Sequence, residues 1–263
     1  MTSLITEGSG LAPVDASGAS AFVWLLIALP LLGAAVLLLG GRRTDKVGPL
    51  LATAMSWGSF LVGVAIILHL IGLPTEERAQ HLTLWNWVPA GSFQLDLGLL
   101  ADPLSLTFVM LITFVGSLIH VYSIGYMEHD PDKRRFFAYL NLFVASMLLL
   151  VLADSYLLLF VGWEGVGLAS YLLIGFYYVK KAAGDASKKA FIVNRVGDYA
   201  FVLGSLLAFV TFGSLDFQII AAKASAMTPE VAFGTLSLIT LLLFVGATGK
   251  SAQIPLHVWL PDA

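Results

Sequence analysis

Cysteine is absent from the 263 residues. That excludes disulfides, thiolate zinc sites, cysteine-bound iron–sulfur clusters and thiol redox catalysis within this chain, leaving any redox chemistry to another polypeptide. Charge is scarce as well. Asp, Glu, Lys and Arg together make up 12% of the residues while 58% are hydrophobic, against about 25% charged in soluble domains. A single soluble core has nowhere to put so much apolar surface. The net charge of −3 suggests neither nucleic acid nor an acidic surface as a partner. There is no Walker loop, dinucleotide glycine fingerprint or Ser-His-Asp signal, and no His and carboxylate set with metal-ligand spacing.

What the chain has instead is long apolar runs. They cover 22–40, 50–73, 104–127, 136–153, 155–179, 190–212 and 231–254, each long enough to cross about 30 Å of hydrocarbon as a helix. The polar, non-basic stretch ahead of the first run lacks the positive region of a secretory signal, so that run reads as a retained membrane helix. The expected fold is all-α, a polytopic transmembrane bundle of about seven helices. Lys and Arg fall unevenly between the loops. Arg42, Arg43, Lys46, Lys133, Arg134, Arg135, Lys180, Lys181, Lys188 and Lys189 share one side, against Arg78 and Lys223 on the other. The excess of basic residues in short cytoplasmic loops then places the N-terminus outside.

The outer loop 74–103 alternates apolar and polar residues around a turn from Pro89 to Ser92 and is expected to form a short hairpin, with Trp85 and Trp87 in the interfacial belt. Asp102 followed by Pro103 reads as an N-cap and first-turn proline. SLDFQIIAAKASA, within 213–229, has the pattern of a short amphipathic surface helix. Residues 1–21 are taken as an extracytoplasmic tail, 22–127 as three transmembrane helices with the outer loop, and 128–263 as a further helical unit.

An ionisable residue inside a membrane segment costs at least about 2.5 kcal/mol. Glu164 lies about 14 Å into the fifth segment, too deep to reach water, among Gly162, Gly165 and Gly167. Lys250 stands where Gly246, Gly249, Pro255 and Pro261 weaken the seventh helix. It lies near the cytoplasmic end if that helix is continuous from 231, and deeper if the helix starts later and breaks near Gly249. Arg195 and Asp198, three residues apart, share a helical face; they form a structural ion pair, or Asp198 turns toward Glu164. His257 follows the break and is a candidate proton relay. His120 reads as a packing residue, and His69, His81 and His129 as solvated. An isolated carboxyl in apolar surroundings holds its proton, an isolated amine gives one up, and pairing restores both charges. Glu164 and Lys250 therefore read as a switchable pair, biased by Asp198 or Arg195.

The strings LLFVGWEGVGLASYLLIGFYY, KKAFIVNRVGDYAF and ATGKSAQIPLHVWLPDA, with DPLS at 102–105 and EHDPDKRRFF at 128–137, closely resemble the subunit L family of proton-pumping NADH:quinone oxidoreductase (respiratory complex I). That family is antiporter-like and is similar to the large subunit of Mrp-type cation/proton antiporters. The resemblance implies no cofactor in this chain, with FMN, iron–sulfur clusters and quinone in partner subunits. It also implies paired inverted five-helix repeats with broken helices, of which this sequence carries most of the first; 128–263 would be its helices four to seven. Residue by residue, it makes Glu164 the fifth-helix glutamate, Lys250 the seventh-helix lysine, and Asp198 with Arg195 the pair that modulates the glutamate. The implied partners are the other membrane and peripheral subunits of complex I, neighbouring antiporter-like subunits above all, and the lipid bilayer; the implied location is the bacterial inner membrane. The family continues beyond the motif that ends at Ala263, so a truncation is expected. The rival expectations are an Mrp-type Na+/H+ antiporter chain and a non-transporting truncated scaffold.

Overall fold

The computed structural model describes residues 13–90 and 93–263. The expected tail therefore lies mostly outside the described residues, as do Gly91 and Ser92 of the expected turn. In chain order the elements are β1 (Val14–Asp15), α1 (Trp24–Leu39), α2 (Gly48–Ile71), β2 (Gln80–Ala90), β3 (Phe93–Ala101), α3 (Pro103–Tyr126), α4 (Lys133–Leu152), α5 (Tyr156–Ile174), α6 (Lys181–Phe212), α7 (Phe217–Ser225) and α8 (Thr235–Lys250). Among the described residues six helical stretches are long and apolar enough to cross a membrane: Gly18–Leu39, α2, α3, α4, α5 and α6. Every apolar run holds a helix, but the seventh holds one of only 16 residues. It starts late, after the Glu230 carboxylate accepts the Leu236 and Ser237 amides. It stops at Lys250 because the chain turns at Ala252, where φ is +48°, a conformation unfavourable to a Cβ.

Local chemistry sets the other boundaries. At α3 the Asp102 carboxylate accepts the Ser105 amide at 2.7 Å and the Ser105 hydroxyl accepts the Asp102 amide at 2.9 Å, with Pro103 in the first turn; this capping box is the start expected from the sequence. Asp216 caps α7 through the Ile219 amide at 2.9 Å. The amphipathic segment is thus a short helix at the outer end of α6. The outer loop forms the expected antiparallel β2–β3 hairpin, with irregularities between Thr83 and Trp85 and between Asn86 and Val88. β1 adds alongside β2 in parallel.

The packed interior is largest where α1 to α5 meet the hairpin. Leu26, Ile66, Leu99, Val109, Leu148, Leu152 and Leu158 are almost fully buried in one cluster there. A second cluster near the basic loops joins Leu37, Ala52, Met127, Phe137, Ala138 and Phe176. Outward faces keep large apolar residues, such as Leu104, Leu111, Val196 and Val210, as a surface meant for lipid requires. Some polar groups inside are satisfied between helices: Ser56 and Ser117 hydroxyls meet at 2.9 Å, and Ser59 donates to the Leu26 carbonyl at 2.7 Å. His120 is buried, its ring nitrogens bonded to the Gly116 carbonyl and Asn141, which is the packing role expected for it.

Candidate functional site

The site is built where α5, α6 and the end of α8 converge. Gly197 on α6 faces the α8 backbone: a Cβ there would lie 3.1 Å from the Gly246 carbonyl oxygen and 3.3 Å from the Gly249 Cα. Three glycines thus let two helices touch backbone to backbone, the small-residue device of membrane packing. Their contact brings Asp198, the next residue on α6, to the last residue of α8. Lys250 Nζ stands 3.8 Å from Asp198 Oδ1. Sixteen residues of helix carry Lys250 about 24 Å from the start of α8, and the chain then breaks, so the lysine ends a helix inside the bundle. Of the two courses open from sequence, the helix that starts late and breaks next to Gly249 is the one observed. Beyond the break, Trp259 donates to the Gly249 carbonyl at 3.1 Å, and Asp262 pairs with Lys189 at 2.6 Å. The broken segment is thereby fastened back onto the start of α6.

Glu164 and Lys250 form no direct ion pair. Arg195 Nη1 lies 2.5 Å from Glu164 Oε1 and 3.8 Å from Asp198 Oδ2, so the arginine stands between the carboxylates and Lys250 belongs to Asp198. The expected pairing differs for a geometric reason. Trp163 and Glu164 are adjacent on α5 and therefore point about 100° apart around the helix; Trp163, not Glu164, faces Asp198, donating its indole N–H to Oδ1 at 2.6 Å. The Lys250 ammonium also lies 5.7 Å from the Trp163 ring centroid, within cation–π range. Of the two alternatives left open for Asp198, the structure shows the ion pair with Arg195, and the arginine stands between Asp198 and Glu164. Asp198 is buried, while Arg195 and Glu164 keep 43% and 26% of their side-chain surface accessible.

A cavity of about 420 Å³ adjoins these charges, lined by Trp163, Arg195, Asp198 and Lys250 together with Ser170, Tyr171 and Asn194. Asn194 Oδ1 is buried without a hydrogen-bond partner. His257 is exposed in the turn Leu256–Asp262 and does not line this cavity. Trp163, Tyr171 and Asn194 were not among the residues singled out from sequence. An aromatic beside a buried acid carries no distinguishing signal until the helix faces are known.

A second polar cluster lies at the hairpin, on the face opposite the basic loops. His81 on β2 is not left to solvent: its Nε2 is 2.9 Å from Asp154 Oδ2, in the turn between α4 and α5. The turn is drawn up by a bridge between Leu99 and Ala153 and by one between Ser155 and Asp216. Asp154 is buried, and its Oδ1 has no partner. The Asp154 hydrogen bond holds His81 above its ordinary value, against the opposing effect of burial. Burial, with Asp154 nearby, raises Asp216. His69 is half-buried beneath Gly18 rather than freely solvated; His129 is exposed, as expected.

Two family descriptions match the chain: "NADH:quinone oxidoreductase/Mrp antiporter, TM" over 153–263 and "NADH-Ubiquinone oxidoreductase (complex I), chain 5 N-terminus" over 87–137. NADH-quinone oxidoreductase subunit L of Mycobacterium tuberculosis is 56% identical over 242 residues, covering 92% of this chain and 38% of that protein. NADH-ubiquinone oxidoreductase chain 5 of Triticum aestivum is 43% identical over 246 residues, covering 91% of this chain and 36% of the relative. The chain thus spans under two fifths of the length of these curated relatives. Among solved structures, the Mrp complex from Dietzia sp. is similar with a TM-score of 0.75 and 26% identity, over 91% of this chain and 25% of that one. An archaeal membrane-bound sulfane sulfur reductase shares the fold alone, with a TM-score of 0.79 at 19% identity, over 92% of this chain and 47% of that one.

Proposed function

Because the chain belongs to the antiporter-like family of membrane subunits that includes NADH-quinone oxidoreductase subunit L and chain 5, we propose that it is the part of a proton-translocating complex I subunit that carries its first charged centre. The observation that carries this reading is the line Glu164, Arg195, Asp198, Lys250, with contacts of 2.5, 3.8 and 3.8 Å. Two acids and two bases inside a membrane bundle are expensive unless paired. Arg195 touches both carboxylates, so a small swing of its guanidinium repartitions charge between Glu164 and Asp198. Released by Arg195, Asp198 draws the Lys250 ammonium closer; held by it, Asp198 leaves Lys250 free to give a proton to water in the adjoining cavity. Glu164 takes a proton when Arg195 leaves and gives it up when Arg195 returns. Lys250, at a helix break, has the freedom to move that such a cycle needs.

The wider assignments extend the family resemblance. NADH oxidation and quinone reduction belong to other subunits, with FMN, iron–sulfur clusters and quinone there, and drive this centre from a distance. Each proton moved against 100 mV takes about 2.3 kcal/mol. The membrane is a bacterial inner membrane, with the hairpin outside and the basic loops in the cytoplasm. The test is proton translocation per NADH oxidised in vesicles holding the assembled complex, with the full-length subunit carrying Glu164→Gln. Loss of pumping with NADH oxidation by an artificial acceptor intact is expected; unchanged pumping overturns the reading. The likeness to the Mrp complex supports a second reading, sodium/proton exchange, which predicts NADH-independent pH changes driven by a sodium gradient.

A further inference from the structure

One side chain is common to the charged cavity and to a cavity at the basic-loop face. A second cavity, of about 290 Å³, lies at that face and is lined by Arg135, Tyr139, Ser187 and Lys188. Tyr171 is the single wall residue common to it and to the charged cavity. A third, of about 350 Å³, flanks the junction and shares Tyr171 and Phe191 with the charged cavity, and Tyr171 and Lys188 with the vestibule. On the inner side of Tyr171 the wall carries Ser170 and Asn194, with the unpartnered Asn194 Oδ1 beside Gly249. The contact seen for the Tyr171 side chain among the described residues is its ring against Phe191, with no hydrogen bond to the phenol, so its donor and acceptor are open to water.

Tyr171 is also tied to the charges it screens. Its ring meets Phe191 edge-on at 5.6 Å, and the Arg195 guanidinium lies 4.4 Å from the Phe191 centroid. A displacement of Arg195 therefore changes the packing that holds the phenol. We propose that Tyr171 is the partition between a basic vestibule on the cytoplasmic side and the Asp198–Lys250 cavity, and that protons enter the site past it. This rests on the functional reading above and adds the route and its gate. A hydrated metal cation needs an open passage, whereas a proton needs only a file of hydrogen-bonding groups, which Tyr171, Ser170 and Asn194 supply. Tyr171 is thus a positioning residue for access.

The absence of cysteine from this stretch makes the route measurable by thiol labelling. The full-length subunit, within the assembled complex in inverted vesicles, carries Ser170→Cys and meets a small charged methanethiosulfonate at the cytoplasmic face, with the parent complex as blank. The thiol is expected to react slowly or not at all from that face with Tyr171 or Tyr171→Phe in place, and severalfold faster with Tyr171→Ala. Tyr171→Trp is also expected to slow NADH-driven proton translocation severalfold. A labelling rate no faster with Tyr171→Ala, or pumping unchanged by Tyr171→Trp, overturns the proposal. Acceptor activity checks assembly of every variant. Inert Tyr171 variants beside an inactive Glu164→Gln discard the route and leave the functional reading; an active Glu164→Gln discards that reading itself.

Discussion

His81 Nε2 lies 2.9 Å from Asp154 Oδ2 and so pins the outer hairpin to the turn joining α4 and α5. Gly98, in the facing strand β3, makes room for the contact, since a Cβ there would stand 2.5 Å from His81 Nε2 and 2.8 Å from Asp154 Cγ. His81 is further surrounded by Asp15 of β1 and Asp216 at the start of α7. The hydrogen bond to Asp154 holds its folded value above the ordinary one near 6.5. A raised histidine contributes stability that is complete below the unfolded value and is lost as pH rises through the folded one. Hairpin amide protection, corrected for intrinsic exchange, is therefore expected to fall as pH rises through the window that begins near 6.5 and ends at the folded value. His81→Gln is expected to remove that dependence, and protection flat with pH in the parent protein refutes it.

Gly98→Ala is expected to destabilise the docked hairpin by roughly 1–3 kcal/mol, the usual range for overpacking, because the methyl displaces His81 from Asp154. Limited proteolysis of the hairpin in membranes reports it. Gly98→Ala with unaltered cleavage contradicts the contact.

Gly197→Leu is expected to part α6 from α8 and with them Asp198 from Lys250, at a cost in bundle stability of about 1–3 kcal/mol or more. Thermal denaturation of the full-length subunit in detergent reads the stability and vesicle pumping reads the function. Both should fall together. Leu206→Ala, a trim on the exposed face of α6, serves as the comparison and should leave both near the parent values.

Pairings at the charged centre are separable by double-mutant cycles on the thermal stability of the full-length subunit in detergent. Direct partners couple by about 0.5–3 kcal/mol, and separated groups add. Asp198→Asn with Lys250→Met, and Glu164→Gln with Arg195→Met, are expected to show strong coupling. Glu164→Gln with Lys250→Met should show less than either. A Glu164–Lys250 coupling larger than both restores the direct pair expected from sequence.

Trp163→Phe removes the indole N–H that Asp198 accepts at 2.6 Å while keeping an aromatic face for Lys250. Losing a hydrogen bond to a charged group costs about 1.5–3 kcal/mol. The expected result is a shifted pH profile of pumping with acceptor activity retained, and an unshifted profile counts against an Asp198 role tuned by Trp163.

Seven apolar runs, the basic-loop asymmetry, the Asp102 cap and the four charges in apolar segments were all readable from the order of residues. They depend on local composition and on distance along the chain: a run of about twenty apolar residues is a membrane helix whatever it packs against. The partner of each charge was not readable. Glu164 meets Arg195 instead of Lys250 because Trp163 occupies the face of α5 that turns to Asp198. His81 meets Asp154 because a strand far along the chain folds over a helix turn. Tyr171 acquires its place between cavities because α4, α5 and α6 surround it. Contacts of a few ångströms follow from the rotation of each helix about its own axis, which weak amphipathicity leaves undetermined in a chain apolar on nearly every face. The sequence alone determined the apolar helices and the charges set among them; close packing of glycines and aromatics between helices decided which charges touch.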